Sequence, residues 1–263
     1  MDNSKPITSQ QFLNKVPEVT LTFWIVKILS TTVGETGADY LAVNIGWGTA
    51  ITDGVMALLL ALVLFFQFRI PRYVPSIYWL TVVLVSIVGT QITDALTDKL
   101  EVSLYVSTSV FSLVLAAIFF VWYRSEKTLS MKTIFTRRRE AFYWLAILCT
   151  FALGTAAGDL ATEALSLGFR LGSGIFGAMI AVTVIAYYFG FNLVIAFWIA
   201  YILTRPLGAS IGDFLSQSPE YGGLGFGTIL TSTVFLTIII VIVTILSFQK
   251  NTLHTSKSSD ALS

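Results

Sequence analysis

The sequence predicts an all-α, polytopic membrane protein with eight transmembrane helices, arranged as four parallel two-helix repeats. Three observations predict it: a shortage of charge, apolar runs of membrane-spanning length, and a motif that recurs at fixed spacing. Of 263 residues, 55% are hydrophobic and 12% charged; a soluble domain carries about 25% charged residues. The mean hydropathy is +0.80. The single cysteine, Cys149, excludes an intrachain disulfide framework, and the single histidine, His254, lies in a polar tail. A His-ligated haem or multi-His metal site inside the membrane is thereby excluded, and no cofactor is expected. A net charge of +1 gives no argument for a nucleic-acid partner, and none is expected.

The chain opens with a polar segment, 1–19, that lacks the short apolar core of a cleavable signal. Apolar runs of about 20 residues suffice to cross a hydrocarbon core as helix. They occur at about 20–42, 46–68, 76–97, 102–123, 141–165, 171–190, 192–215 and 227–248. Backbone groups in lipid must be satisfied within helices or closed barrels, and continuous apolar runs of this length exclude barrel strands. Repeat 1 is 20–70, repeat 2 71–125, repeat 3 126–190 and repeat 4 191–248, with a basic loop at 124–140. The segment 249–263 is Ser/Thr-rich, and both tails are expected to lie loose at a membrane surface.

Orientation follows from Lys and Arg placement, because cytoplasmic loops carry the excess. Alternate loops and the tails hold Lys5, Lys15, Arg69, Arg72, Arg124, Lys127, Lys132, Arg137, Arg138, Arg139, Lys250 and Lys257. The other loops hold only Lys99 and Arg170. This bias puts both termini in the cytoplasm of a cell (inner) membrane protein, with the lipid bilayer as its first partner.

The repeat carries most of the information. FWIVKILSTTVGETGAD (Phe23 to Asp39), YWLTVVLVSIVGTQITD (Tyr78 to Asp94), YWLAILCTFALGTAAGD (Tyr143 to Asp159) and FWIAYILTRPLGASIGD (Phe197 to Asp213) align without a gap. Each has a tryptophan (Trp24, Trp79, Trp144, Trp198), then a glycine (Gly34, Gly89, Gly154, Gly208), then an aspartate (Asp39, Asp94, Asp159, Asp213). The pattern resembles a bacterial membrane-protein family known by its repeat, the domain of unknown function 347. The likeness covers about residues 20–248. It implies tandem two-helix units with a tryptophan in each, and no assigned activity. Units with two spans enter the membrane in one direction and are related by an axis along its normal. A pseudo-fourfold or two-plus-two bundle, lined by the odd-numbered helices, is the expected packing.

Each motif position has a structural and a functional reading. The tryptophans suit the membrane interface, or a substrate path. The glycines suit close helix packing, or a helix break that exposes carbonyls. The acids are candidates for a binding site, because charge at bilayer depth is costly and marks function. Glu35, Asp39, Asp94, Asp159, Glu163 and Asp213 are the candidate ion-binding residues. Lys27 and Arg205 are candidate charge-balancing partners, each expected to reach a carboxylate on a neighbouring helix. Pro206 follows Arg205 and is a candidate kink. The surplus of acids must be protonated, hydrated or bound to cations. The leading expectation is a secondary transporter of a small cation, proton-coupled or for a metal ion, rather than an enzyme. Oxygen ligands favour Mg, Mn or Ca. No HExxH or nucleotide-binding motif is present. A structural polar core, an intramembrane enzyme and an accessory protein are the competing readings.

Overall fold

The computed structural model describes residues 14–44 and 49–260, with the side chains of 39, 42–44 and 251–260 outside that description. Its eight long helices are α1 (Leu21–Asn44), α2 (Thr49–Arg69), α3 (Pro75–Asp94), α4 (Leu104–Glu126), α5 (Arg137–Asp159), α6 (Gly168–Tyr188), α7 (Leu193–Ser216) and α8 (Thr228–Asp260). The described residues contain no strand. Local signals set the helix starts. Pro75 opens α3, the Thr136 hydroxyl accepts from Arg139 N at 3.3 Å, and Asn192 Oδ1 accepts from Val194 N and Ile195 N. These caps satisfy amide groups that a first turn leaves open.

Seven of the eight helices are long and apolar enough to cross a membrane. The exception is α1, which carries Lys27, Glu35, Asp39 and several hydroxyl residues. It packs against α3, α7 and α8, so its polar face meets protein rather than lipid.

The odd helices form a closed ring: α1 touches α3 and α7, and α5 touches the same two. The pseudo-fourfold arrangement is therefore the one adopted. Each even helix packs on the odd helix of the following repeat: α2 on α3, α4 on α5, α6 on α7 and α8 on α1. The packing unit is thus out of phase with the sequence repeat. A single repeat does not cover its own motif helix; the even helix of the preceding repeat does. Within their apolar windows α3, α5 and α7 are 61–78% buried, whereas α2, α4, α6 and α8 are 11–17% buried and turn their apolar side chains outward.

The tryptophans are not an interfacial belt. Trp79, Trp144 and Trp198 are buried and Trp24 half-buried, in a layer inside the ring. The aromatic residue before each tryptophan packs on the tryptophan of the next repeat. Centroids are 5.6 Å apart for Phe23–Trp79, 5.4 Å for Tyr78–Trp144, 6.4 Å for Tyr143–Trp198 and 5.7 Å for Phe197–Trp24. The Tyr78 and Tyr143 hydroxyls meet at 2.5 Å. Such pairs gain more than their buried area alone, so this layer plugs the ring at the end carrying the basic loop.

The glycines serve close approach, as the packing reading expects. A Cβ on Gly34 would stand 2.5 Å from Ser86 Cβ, on Gly89 2.6 Å from Phe151 Cβ, on Gly154 2.5 Å from Arg205 Cβ, and on Gly208 2.6 Å from Thr31 Cβ. Thr31, Ser86, Phe151 and Arg205 share one aligned position, seven residues after each tryptophan. Each glycine therefore admits that position of the next repeat, around the whole ring. All four odd helices run unbroken through their glycines, so the helix-break reading is not what the fold uses. Helix α7 likewise continues through Pro206, which lies against Gly154 and Gly158.

The N-terminal tail is not loose over its last part. Lys15 and Val16 are buried; Lys15 N donates to Ile134 O at 3.1 Å, and Tyr73 N donates to Asn14 O at 3.2 Å. Lys15 Nζ bonds Glu140 at 2.6 Å, and Gln67 Nε2 donates to the other carboxylate oxygen at 3.0 Å. A buried charge needs a partner, and Glu140 draws the segment in. The tail expected at 249–263 begins as a continuation of α8, which runs to Asp260.

Candidate functional site: a carboxylate-lined cavity beside a buried arginine

At the end opposite the basic loop, the odd helices open into a cavity of about 610 Å³. Glu35 from α1, Asp94 from α3, Asp159 from α5 and Asp213 from α7 line it, one from each odd helix. Asp53, Asp98 and Glu163 add three more carboxylates, and Lys99 a single amine. Five of the six candidate acids thus meet in one space; Asp39 lies in α1, but its side chain is outside the described residues. Two of the acid positions share a local device. After Asp94 and Asp159, α3 and α5 each widen into a five-residue π-helical turn, Ala95–Lys99 and Leu160–Ala164. Such turns re-aim side chains and recur at functional sites.

The electrostatics of this space are strongly one-sided. All four odd helices approach it with their C-terminal halves, and helix C-termini carry negative dipole ends that favour cations. Among the described residues, Lys99 in the π turn that ends α3 is the one basic residue in the last turn of these helices. Carboxylates at such ends add to the negative potential, which concentrates cations in a low-dielectric cleft. At the rim, Lys99 pairs with Asp53 at 2.7 Å, tying the first π turn to α2. The carboxylates of Asp159 and Glu163 form no hydrogen bond or ion pair with the described residues.

Arg205 lies buried behind Glu35, one of the cavity's lining acids. Its guanidinium donates to Thr31 O at 2.9 Å, to Glu35 Oε2 at 2.6 Å and to the Thr155 hydroxyl at 2.8 Å, and it also bonds the Thr90 hydroxyl. One side chain on α7 therefore binds α1, α3 and α5 across the axis. The flat, five-donor guanidinium suits such a junction; a point-charge amine does not. Thr90 and Thr155 occupy the aligned position of Glu35 in repeats 2 and 3. They were not among the candidate site residues, yet reading that position through the four repeats exposes them.

Lys27 does not pair with a carboxylate, contrary to expectation. It is 1% exposed, and its Nζ has no hydrogen-bond partner among the described residues. Instead it lies 4.1 Å from the Phe151 ring centroid and 4.4 Å from that of Tyr201. The lysine starts one turn nearer the basic end than the arginine position, and the aromatic rings reach it before any acid does. Lys27→Met keeps the length of the chain and its contact with both rings while removing an amine with no acceptor. Its melting temperature in detergent is expected to equal or exceed that of the parent protein; a clear drop would show that the ring contacts require the amine.

Among the described residues no three His, Cys, Asp or Glu converge closely enough to hold a metal ion. No curated protein and no solved structure matches the chain. Four tandem matches to the family described as Repeat of Unknown Function (DUF347) cover 22–73, 77–128, 142–190 and 196–252, with a Trp-Gly-Asp motif helix in each. The chain is a four-repeat member of the DUF347 family.

Proposed function

We propose that this multi-pass membrane protein is a secondary carrier of a small cation, which binds among the carboxylates of the cavity. The observation that carries the reading is that every odd helix contributes an acid to one space, and that one of these acids, Glu35, is held from behind by a buried arginine. A cation entering from the acidic end is attracted by the carboxylates and helix termini but meets Arg205, then Lys27, then the aromatic layer. A fixed guanidinium, a buried amine and a packed plug on the axis oppose an open cation channel and favour a carrier that must rearrange. Glu35 is the natural switch: a bound cation competes with Arg205 for its carboxylate. The Lys and Arg bias supports a cytoplasmic side for the basic end, where both residue 14 and Lys250 lie. The cavity then faces outward.

Asp159→Asn and Glu163→Gln test this reading with little risk to the fold, since neither acid is tied to a neighbour. In proteoliposomes, gradient-driven flux of the transported cation is expected to fall roughly tenfold or more, a loss of at least about 1.4 kcal/mol in binding or barrier terms. Undiminished flux in both variants would sink the assignment. The Arg205 junction also favours a second reading, a polar core that only locks the ring together. On that reading no cation changes the melting temperature of the purified protein.

A further inference from the structure

The size and walls of the cavity point to a class of cation. A bare metal ion demands several oxygens at about 2.0–2.6 Å, and the described acids do not gather that way. They stand instead around a space of about 610 Å³, within the range of sites for organic ligands. Acids from four different helices can hold more than one positive group at once. The wall between them is partly apolar, with Leu104 and Phe169 lining it. A second observation lies apart from the acids. Gln91, 7% exposed, lines the same cavity, and its Oε1 accepts no hydrogen bond among the described residues. A buried acceptor without a donor is costly, and a ligand rich in N–H donors supplies one.

We propose that the cavity binds aliphatic di- and polyamines: ammonium groups engage carboxylates on different helices, methylenes lie over Leu104 and Phe169, and one N–H reaches Gln91 Oε1. This rests on the cation-carrier reading and narrows it. Carboxylates and an amide oxygen satisfy ammonium donors as they stand, whereas a bare metal would require the acids to close in.

The test is the melting temperature of the purified full-length protein in detergent, titrated with putrescine or spermidine. Parallel titrations use magnesium, manganese, calcium, sodium and, at matched ionic strength, tetramethylammonium. A ligand that binds the folded state raises its stability. A saturable rise is expected with the amines and not with tetramethylammonium, which has no N–H. Asp159→Asn and Gln91→Leu should each weaken the apparent amine affinity roughly tenfold. Should Gln91→Leu fail to fold, Gln91→Glu replaces it and should tighten amine binding. Stabilisation by a divalent metal but not by amines overturns this inference and leaves the cation carrier standing. No response to any cation overturns both. Equal responses to amines and tetramethylammonium show charge screening alone and overturn the amine site.

Discussion

Arg205→Met is expected to destabilise the protein by about 3–5 kcal/mol, the range seen when one partner of a buried ion pair is removed. Arg205 is fully buried and Glu35 nearly so, and the pair is joined at 2.6 Å. Removing the guanidinium strands the Glu35 carboxylate and opens the bonds to Thr31, Thr90 and Thr155 together. The effect should appear as a large fall in melting temperature in detergent. Adding Glu35→Gln in the same chain should recover part of it, with a coupling of about 0.5–3 kcal/mol. Arg205→Lys should not rescue, because one ammonium cannot reach acceptors on three helices. A stable Arg205→Met protein would mean that the ring is not tied across its axis.

Gly34→Ala gives the second large effect, and its sign is the test. Helix propensity alone predicts that alanine stabilises an interior helical glycine by about 1 kcal/mol. Here the new methyl would stand 1.7 Å from Ser86 Oγ and 2.5 Å from Ser86 Cβ, so α1 and α3 must separate. Overpacking of this kind costs about 1–3 kcal/mol, occasionally more. Gly208→Ala, which meets Thr31 in the same way, should behave alike. Ser86→Gly in the Gly34→Ala background should restore much of the loss, read again by thermal melting. A more stable Gly34→Ala protein would show that the two helices are not held this close.

Much of the architecture was legible from residue order. The Trp, Gly and Asp columns fixed four equivalent helices and put each motif residue at one depth, because rise and rotation along a helix are local properties. The glycines read as close-packing positions for the same reason: a side chain's absence is visible in a sequence. The acids read as one group because four of them recur at one spacing, and five of the six candidates do line one cavity.

The misreadings concern partners. Tryptophans near helix starts look like interface anchors, yet each is covered by an aromatic side chain of the preceding repeat in the closed ring. Lys15 looks like a residue of a free tail, until Glu140, 125 positions away, supplies its counter-charge. Lys27 and Arg205 look interchangeable as buried bases, but one meets two rings and the other a carboxylate and three backbone or hydroxyl oxygens.

The sequence by itself determined the membrane class, the repeat, the depth of each motif residue and the excess of acid over base. Only the tertiary structure decided that the ring closes, that each even helix serves the next repeat, and that Arg205 rather than Lys27 answers Glu35. Periodicity is written along one helix, whereas a neighbour is chosen by the packing of helices far apart in the chain. Arg205 and Glu35 are 170 residues apart.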